Sequence, residues 1–127
     1  MFKNSKKQGD AGLGQAIAYF TMLGWEVALP LTDSADWDLI VETNEGKLKK
    51  VQVKTSYQIR GGTEVFDASV KGGNRSYKGI AKTVDKQNWD LIFLHHLETG
   101  KQALIPKEAL TTKGQINLSN KYAEYII

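Results

Sequence analysis

Residues 36–55 read D-W-D-L-I-V-E-T-N-E-G-K-L-K-K-V-Q-V-K-T. Two β-rich runs, 37–43 and 48–56, flank Asn44-Glu45-Gly46, the pattern of a hairpin. Loop length decides which side chains share a face, because side chains alternate along a strand. A two-residue Glu45-Gly46 loop pairs Asn44 with Lys47 and sets Asp38 opposite Val53. A three-residue loop pairs Thr43 with Lys47, uses Gly46 in the left-handed conformation of a G1 bulge, and sets Asp38 opposite Gln52. Lys54 then lies diagonal to Asp38, within side-chain reach. Leu39, Val41, Val51 and Val53 would share the opposite, buried face. The second register is the one expected here, with Gly46 at positive φ.

Outward from the hairpin, residues 10–23 carry a helical stripe of Leu13, Ala16, Ile17, Phe20 and Leu23, with Asp10 near its start and Gly24 as its stop. Trp25 to Leu29 reads as a short strand ended by Pro30, and residues 32–36 as a loop. A strand is expected near 64–70, a turn at Gly72-Gly73-Asn74, and a buried strand from Leu91 to His95. Gln102 to Ile105 forms another strand, and Pro106 opens a short helix through Leu110. Residues 79–87 fit a short helix or a loop, and the tail 116–127 fits a strand or a helix. The order, one helix and then mostly strands, predicts an α+β or three-layer α/β domain spanning residues 1–127, not a doubly wound sheet.

Composition narrows the chemistry. The 127 residues contain no cysteine, which excludes disulfide scaffolds, zinc ribbons, iron–sulfur clusters and thiol nucleophiles. Seventeen Lys+Arg against fourteen Asp+Glu give a net charge of +3, compatible with a polyanionic partner. The longest apolar run, Ala16 to Phe20, is far short of a bilayer span, so no membrane association is expected. No apolar stretch follows the charged N-terminus, so no signal peptide is expected and the cytoplasm is the default compartment.

Asp38, Gln52 and Lys54 are the candidate catalytic residues. A carboxylate, a neutral amide oxygen and a backbone carbonyl such as that of Val53 suit Mg2+, a hard cation that takes oxygen ligands. Lys54 can orient or deprotonate a water, or offset charge at a phosphorus centre. Asp33 and Asp36 either assist a metal or cap their loop. His95 and His96, adjacent on one strand, point to opposite faces and do not chelate one ion together. Lys6, Lys7, Arg60, Lys71, Arg75, Lys78 and Lys82, interleaved with Tyr57 and Tyr77, are the candidate contacts to a nucleic-acid backbone.

The segment D-W-D-L-I-V at 36–41 followed by V-Q-V-K-T at 51–55 resembles the PD-(D/E)XK nuclease superfamily. With G-D-A-G-L-G-Q-A-I-A-Y-F at 9–20 and L-P-L-T-D-S at 29–34, it looks like the branch of group I intron-encoded homing endonucleases, and is distantly similar to archaeal Holliday-junction resolvases. The resemblance implies a restriction-endonuclease-like fold, a mixed central sheet flanked by helices, and metal-dependent hydrolysis of DNA phosphodiesters. It makes Asp38 the metal-binding aspartate and Lys54 the catalytic lysine. It also implies Mg2+, with Mn2+ as a substitute, and a homo-oligomer, dimer or tetramer. Gln52 stands where the superfamily usually has Glu or Asp, a change the homing branch accepts. Leu13 stands where many relatives carry a helical Glu, leaving Asp10 and Gln15 as the nearest polar side chains. These two departures keep open a second reading, a nuclease fold that only binds nucleic acid or a partner protein.

Overall fold

The computed structural model describes residues 4–71 and 81–127. Its centre is a five-stranded mixed sheet. β1 (Glu26–Ala28), β2 (Leu39–Glu42) and β3 (Leu48–Ser56) form an antiparallel meander. β3 then pairs in parallel with β8 (Leu91–His96), and β8 pairs antiparallel with β9 (Gln102–Pro106). A smaller sheet is formed by β4 (Ile59–Arg60), β5 (Thr63–Asp67) and β10 (Gln115–Asn117), in the order β10-β5-β4. The backbones of β6 (Val70–Lys71) and β7 (Ala81–Lys82) pair with each other.

One helix, α1 (Ser5–Met22), covers one face of the central sheet. It starts five residues before the expected Asp10, because Asn4 caps it: the Asn4 side-chain oxygen accepts from the Lys6 N–H at 2.9 Å and the Lys7 N–H at 3.3 Å. Asp10 is therefore a helix-interior residue. Gly12 is buried, and a Cβ there would meet Thr55 Cγ2 at 2.4 Å, so this glycine allows α1 to lie close on β3. Ala16 and Phe20 are fully buried with Leu39, Val41, Val51 and Phe93, and Leu13, Ile17 and Val53 pack around them. Leu23, expected in the stripe, is the C-cap and is exposed.

The opposite face carries a second core of Phe66, Trp89, Ile92, Leu94, Ile105, Ile116 and Tyr122. Among the described residues the small sheet and 3-10 turns at Val84–Lys86, Lys107–Ala109 and Asn120–Tyr125 cover it, rather than a second α-helix. The ambiguous stretches resolve in both directions. Residues 81–87 combine strand and 3-10 turn, and the tail is β10 followed by a 3-10 segment. The turn expected at 72–74 lies outside the described residues. No helix among the described residues is long and apolar enough to cross a membrane.

Candidate active site

The hairpin between β2 and β3 closes with the three-residue loop. The Thr43 N–H donates to the Lys47 carbonyl at 2.8 Å, the Gly46 N–H donates to the Thr43 carbonyl at 2.9 Å, and Gly46 has φ 80°. Thr43 Oγ1 accepts from the N–H groups of Glu45 and Lys47, which fastens the loop further. The register runs from Glu42–Leu48 to Leu39–Val51. Carried one step on, it sets Asp38 level with Gln52.

At that step the ladder opens. The Asp38 N–H still reaches the Val51 carbonyl at 2.8 Å, but the next donor on β3, the Val53 N–H, is met by the Asp38 side chain, with Oδ2 at 2.7 Å. In an antiparallel strand the N–H and C=O of one residue face the same neighbour. The Val53 carbonyl therefore faces the edge that β2 has left, beside the Asp38 carboxylate. Gln52 and Lys54 stand in register with Ile92 and Leu94, which belong to the second core. Val53 packs against the core under α1. The site thus straddles the sheet at the point where β2 stops.

Three adjoining hollows share walls here. One, about 420 Å3, is lined by Lys6, Gly9, Asp10 and Leu13 of α1 and by Asp38 and Val53. The second, about 370 Å3, passes Gly9 and Val53 to Lys54, Asp67 and Ser69. The third, about 550 Å3, runs from Leu13 and Asp38 along the 29–37 loop past Pro30, Asp33 and Trp37. Asp10 is a second carboxylate in the wall that holds Asp38. Gln15, the other helical candidate, is engaged elsewhere, accepting from Gln102 Nε2 at 3.1 Å.

Electrostatics follow from this partial enclosure. Burial raises the Asp38 carboxyl above its ordinary value, opposed by the Val53 N–H and then by the Lys54 charge. Burial likewise lowers Lys54 from its ordinary value, opposed by the charges of Asp67 and Asp38. Asp38 and Lys54 are thus within electrostatic reach of each other. Gln52 is only 4% exposed, and its Nε2 donates to the Asp36 carbonyl at 2.7 Å. That bond fastens the loop carrying Asp38 and leaves Oε1 as the amide's other end.

The remaining expectations separate clearly. Asp36 serves its loop: it pairs with Lys82 Nζ at 3.1 Å and accepts the Asn88 N–H at 3.0 Å. Lys82 is consequently half of an ion pair and not an uncommitted cation. Lys7 is exposed on α1, and exposed Lys6 faces the cleft. Arg60 lies on the small sheet and donates to Gln115 Oε1 at 3.1 Å. The side chain of Lys71, together with Arg75, Tyr77 and Lys78, lies outside the described residues. His95 accepts from Gln102 Nε2 at 2.9 Å through Nδ1, whereas fully buried His96 holds the Gln58 carbonyl through Nε2 at 2.9 Å. Both histidines have structural partners. Asp67 carries no signal in the sequence, since nothing local to β5 ties it to Lys54.

Comparison with known proteins agrees with this fold. Among curated proteins, no relative matches the chain. Among solved structures, the bacterial homing endonuclease I-Ssp6803I is similar, with a TM-score of 0.72 and 25% identity over 97% of this chain and 87% of that one. The family model described as PD-(D/E)XK endonuclease matches residues 3–124. With a match across nearly its whole length, this chain belongs to the PD-(D/E)XK endonuclease family.

Proposed function

We propose that the protein is a Mg2+-dependent endonuclease that hydrolyses DNA phosphodiesters, with Asp38, Gln52 and Lys54 as its catalytic set. The observation that carries this reading is the Asp38 carboxylate, anchored on the Val53 N–H at 2.7 Å in a hollow against α1, with Lys54 within electrostatic reach in the adjoining one. The oxygens that would hold a hard divalent cation are the Asp38 carboxylate, the Val53 carbonyl and Gln52 Oε1. No group of three Asp, Glu or His side chains converges among the described residues. Neutral oxygens must therefore complete the donor set, and Asp10 adds negative charge to the wall.

A bound divalent cation supplies Lewis acidity toward the phosphate and acidifies a bound water. Asp38, at the end of β2 and fixed to the β3 backbone through the Val53 N–H, would hold the ion. Gln52 keeps the loop before Asp38 from swinging by its bond to Asp36. Lys54, whose hold on its proton is loosened by burial, steers or accepts the proton of the water that attacks phosphorus in line as the 3′ oxygen leaves. Lys6 and Lys7 meet the DNA backbone on the α1 side of the cleft. A break in both strands needs two such sites, which favours a homo-oligomer.

The test is a panel of duplex, branched and single-stranded DNAs incubated with Mg2+ or Mn2+. Wild type is expected to cut at least one, and Asp38→Ala and Lys54→Ala none. Equal cutting by wild type and Asp38→Ala would place the active site elsewhere. Binding without cutting by all three would favour the nucleic-acid-binding reading.

A further inference from the structure

Lys54 carries a flexible four-carbon stem, so its position depends on what grips the ammonium. The strand pair that carries Asp38 does not supply that grip. Lys54 Nζ donates to the Ser69 carbonyl at 3.3 Å, in the short link between β5 and β6. Ser69 is in turn set by Asp67: Oδ1 accepts the Ser69 N–H at 3.0 Å and the Ser69 hydroxyl at 2.6 Å. This is an Asx-type turn, in which a carboxylate fixes the backbone two residues on. Lys54, Asp67 and Ser69 also wall one hollow together with Val53.

We propose that Asp67 is a positioning residue for the nuclease reaction: its turn aims the Ser69 carbonyl at Lys54 and so sets where the ammonium sits. The inference rests on the reading of Asp38 and Lys54 as catalytic. Its physical reason is that a flexible side chain is placed by an acceptor that is itself fixed. The Ser69 carbonyl is that acceptor for Lys54, and two hydrogen bonds from Ser69 to Asp67 Oδ1 hold it in place. Without Asp67 the turn loses that hold, and Lys54 loses its aim. β5 thus extends the site from the central sheet to the small one.

The experiment measures kcat and KM for cleavage by wild type, Asp67→Asn and Asp67→Ala on the DNA that the panel selects, with Mn2+ affinity of each protein read by electron paramagnetic resonance. Asp67→Ala loses both turn and charge, and kcat is expected to fall by about 100-fold, the scale on which a misplaced reacting group is felt, with KM unchanged. Asp67→Asn keeps an oxygen for the Ser69 N–H and should recover part of that loss, while both variants bind Mn2+ as wild type does, because the turn holds Lys54 and none of the cation's proposed oxygens. Thermal melting confirms folding, and Asp67→Asn carries the test if Asp67→Ala does not fold. Wild-type kcat in both variants, or a change confined to KM, overturns the inference. Asp38→Ala and Lys54→Ala run in parallel: if they cut normally, it is the site assignment that fails, whereas if they are dead and the Asp67 variants are fully active, only the positioning role fails.

Discussion

Asp38 Oδ2 accepts the Val53 N–H at 2.7 Å at the point where β2 ceases to pair with β3. The side chain takes over the work of the missing ladder carbonyl. One carboxylate therefore has two tasks, closing the sheet and presenting charge to the cleft, and substitutions can separate them.

Asp38→Asn keeps an oxygen that can accept from Val53, so folding should survive. Asp38→Ala leaves that donor without its partner, at a cost of about 1–3 kcal/mol. Cleavage should be lost in both. Melting in metal-free buffer is the check: the asparagine variant should match or exceed wild type, because it removes a charge that burial disfavours. An alanine variant as stable as wild type would show that the Asp38–Val53 bond adds nothing to the fold.

The close approach of α1 to β3 makes a second prediction. A Cβ at Gly12 would lie 2.4 Å from Thr55 Cγ2 and 3.3 Å from Val53 Cγ1. Gly12→Ala should therefore destabilise, by about 1–3 kcal/mol if the helix must shift. Thr55→Ser removes the nearer atom, so the double variant should recover much of the loss. Urea unfolding of the four proteins gives the coupling directly, and additive losses would contradict the packing described.

A third prediction concerns acid. His95 is held below its ordinary value by burial and then by neighbouring His96, so it is neutral in the fold when the unfolded chain has already begun to charge. The unfolded state then binds more protons, and stability rises with pH across that window. Stability should be complete above about pH 6.5 and fall as pH drops from there to the depressed value of His95. A proton on Nδ1 also removes the acceptor used by Gln102. His95→Gln should flatten this slope in unfolding measured between pH 7 and 5, and an unchanged slope would assign it to another group.

The features that were legible before the structure are local ones. Asn44-Glu45-Gly46 is turn chemistry, and the observed register from Glu42–Leu48 to Leu39–Val51 is the one its three-residue loop implies. The start of α1 was not legible, because Asp10 offers an N-terminal carboxylate of its own, and the Asn4 side chain that caps the helix is identified only by its bonds to the Lys6 and Lys7 N–H groups. Lys82 reads as a cation available for DNA, yet it meets Asp36 across 46 positions of sequence. Nor does alternation foresee that the Asp38 carboxylate reaches the Val53 backbone, or that Asp67 of another sheet governs Lys54. Each of these depends on how separate elements come together.

Gln52 is where structure and chemistry pull in different directions, and Gln52→Glu tests both. The amide nitrogen donates to the Asp36 carbonyl in a site only 4% exposed. A carboxylate has no such donor when ionised, so it would set oxygen against oxygen in a buried place and weaken the loop before Asp38. Without metal, Gln52→Glu should lose about 1–3 kcal/mol of stability. A divalent cation reverses the balance, since the new charge lies where the cation is proposed to bind, and a ligand that binds only the folded state stabilises it by mass action. The expected signature is a melting temperature below wild type in chelator, a larger rise on adding Mg2+, and half-maximal cleavage at lower Mg2+. A variant that is destabilised but gains no more from Mg2+ than wild type would make Gln52 a clamp on the loop rather than a metal ligand. Asp38, the Val53 carbonyl and Asp10 would then have to hold the ion without it.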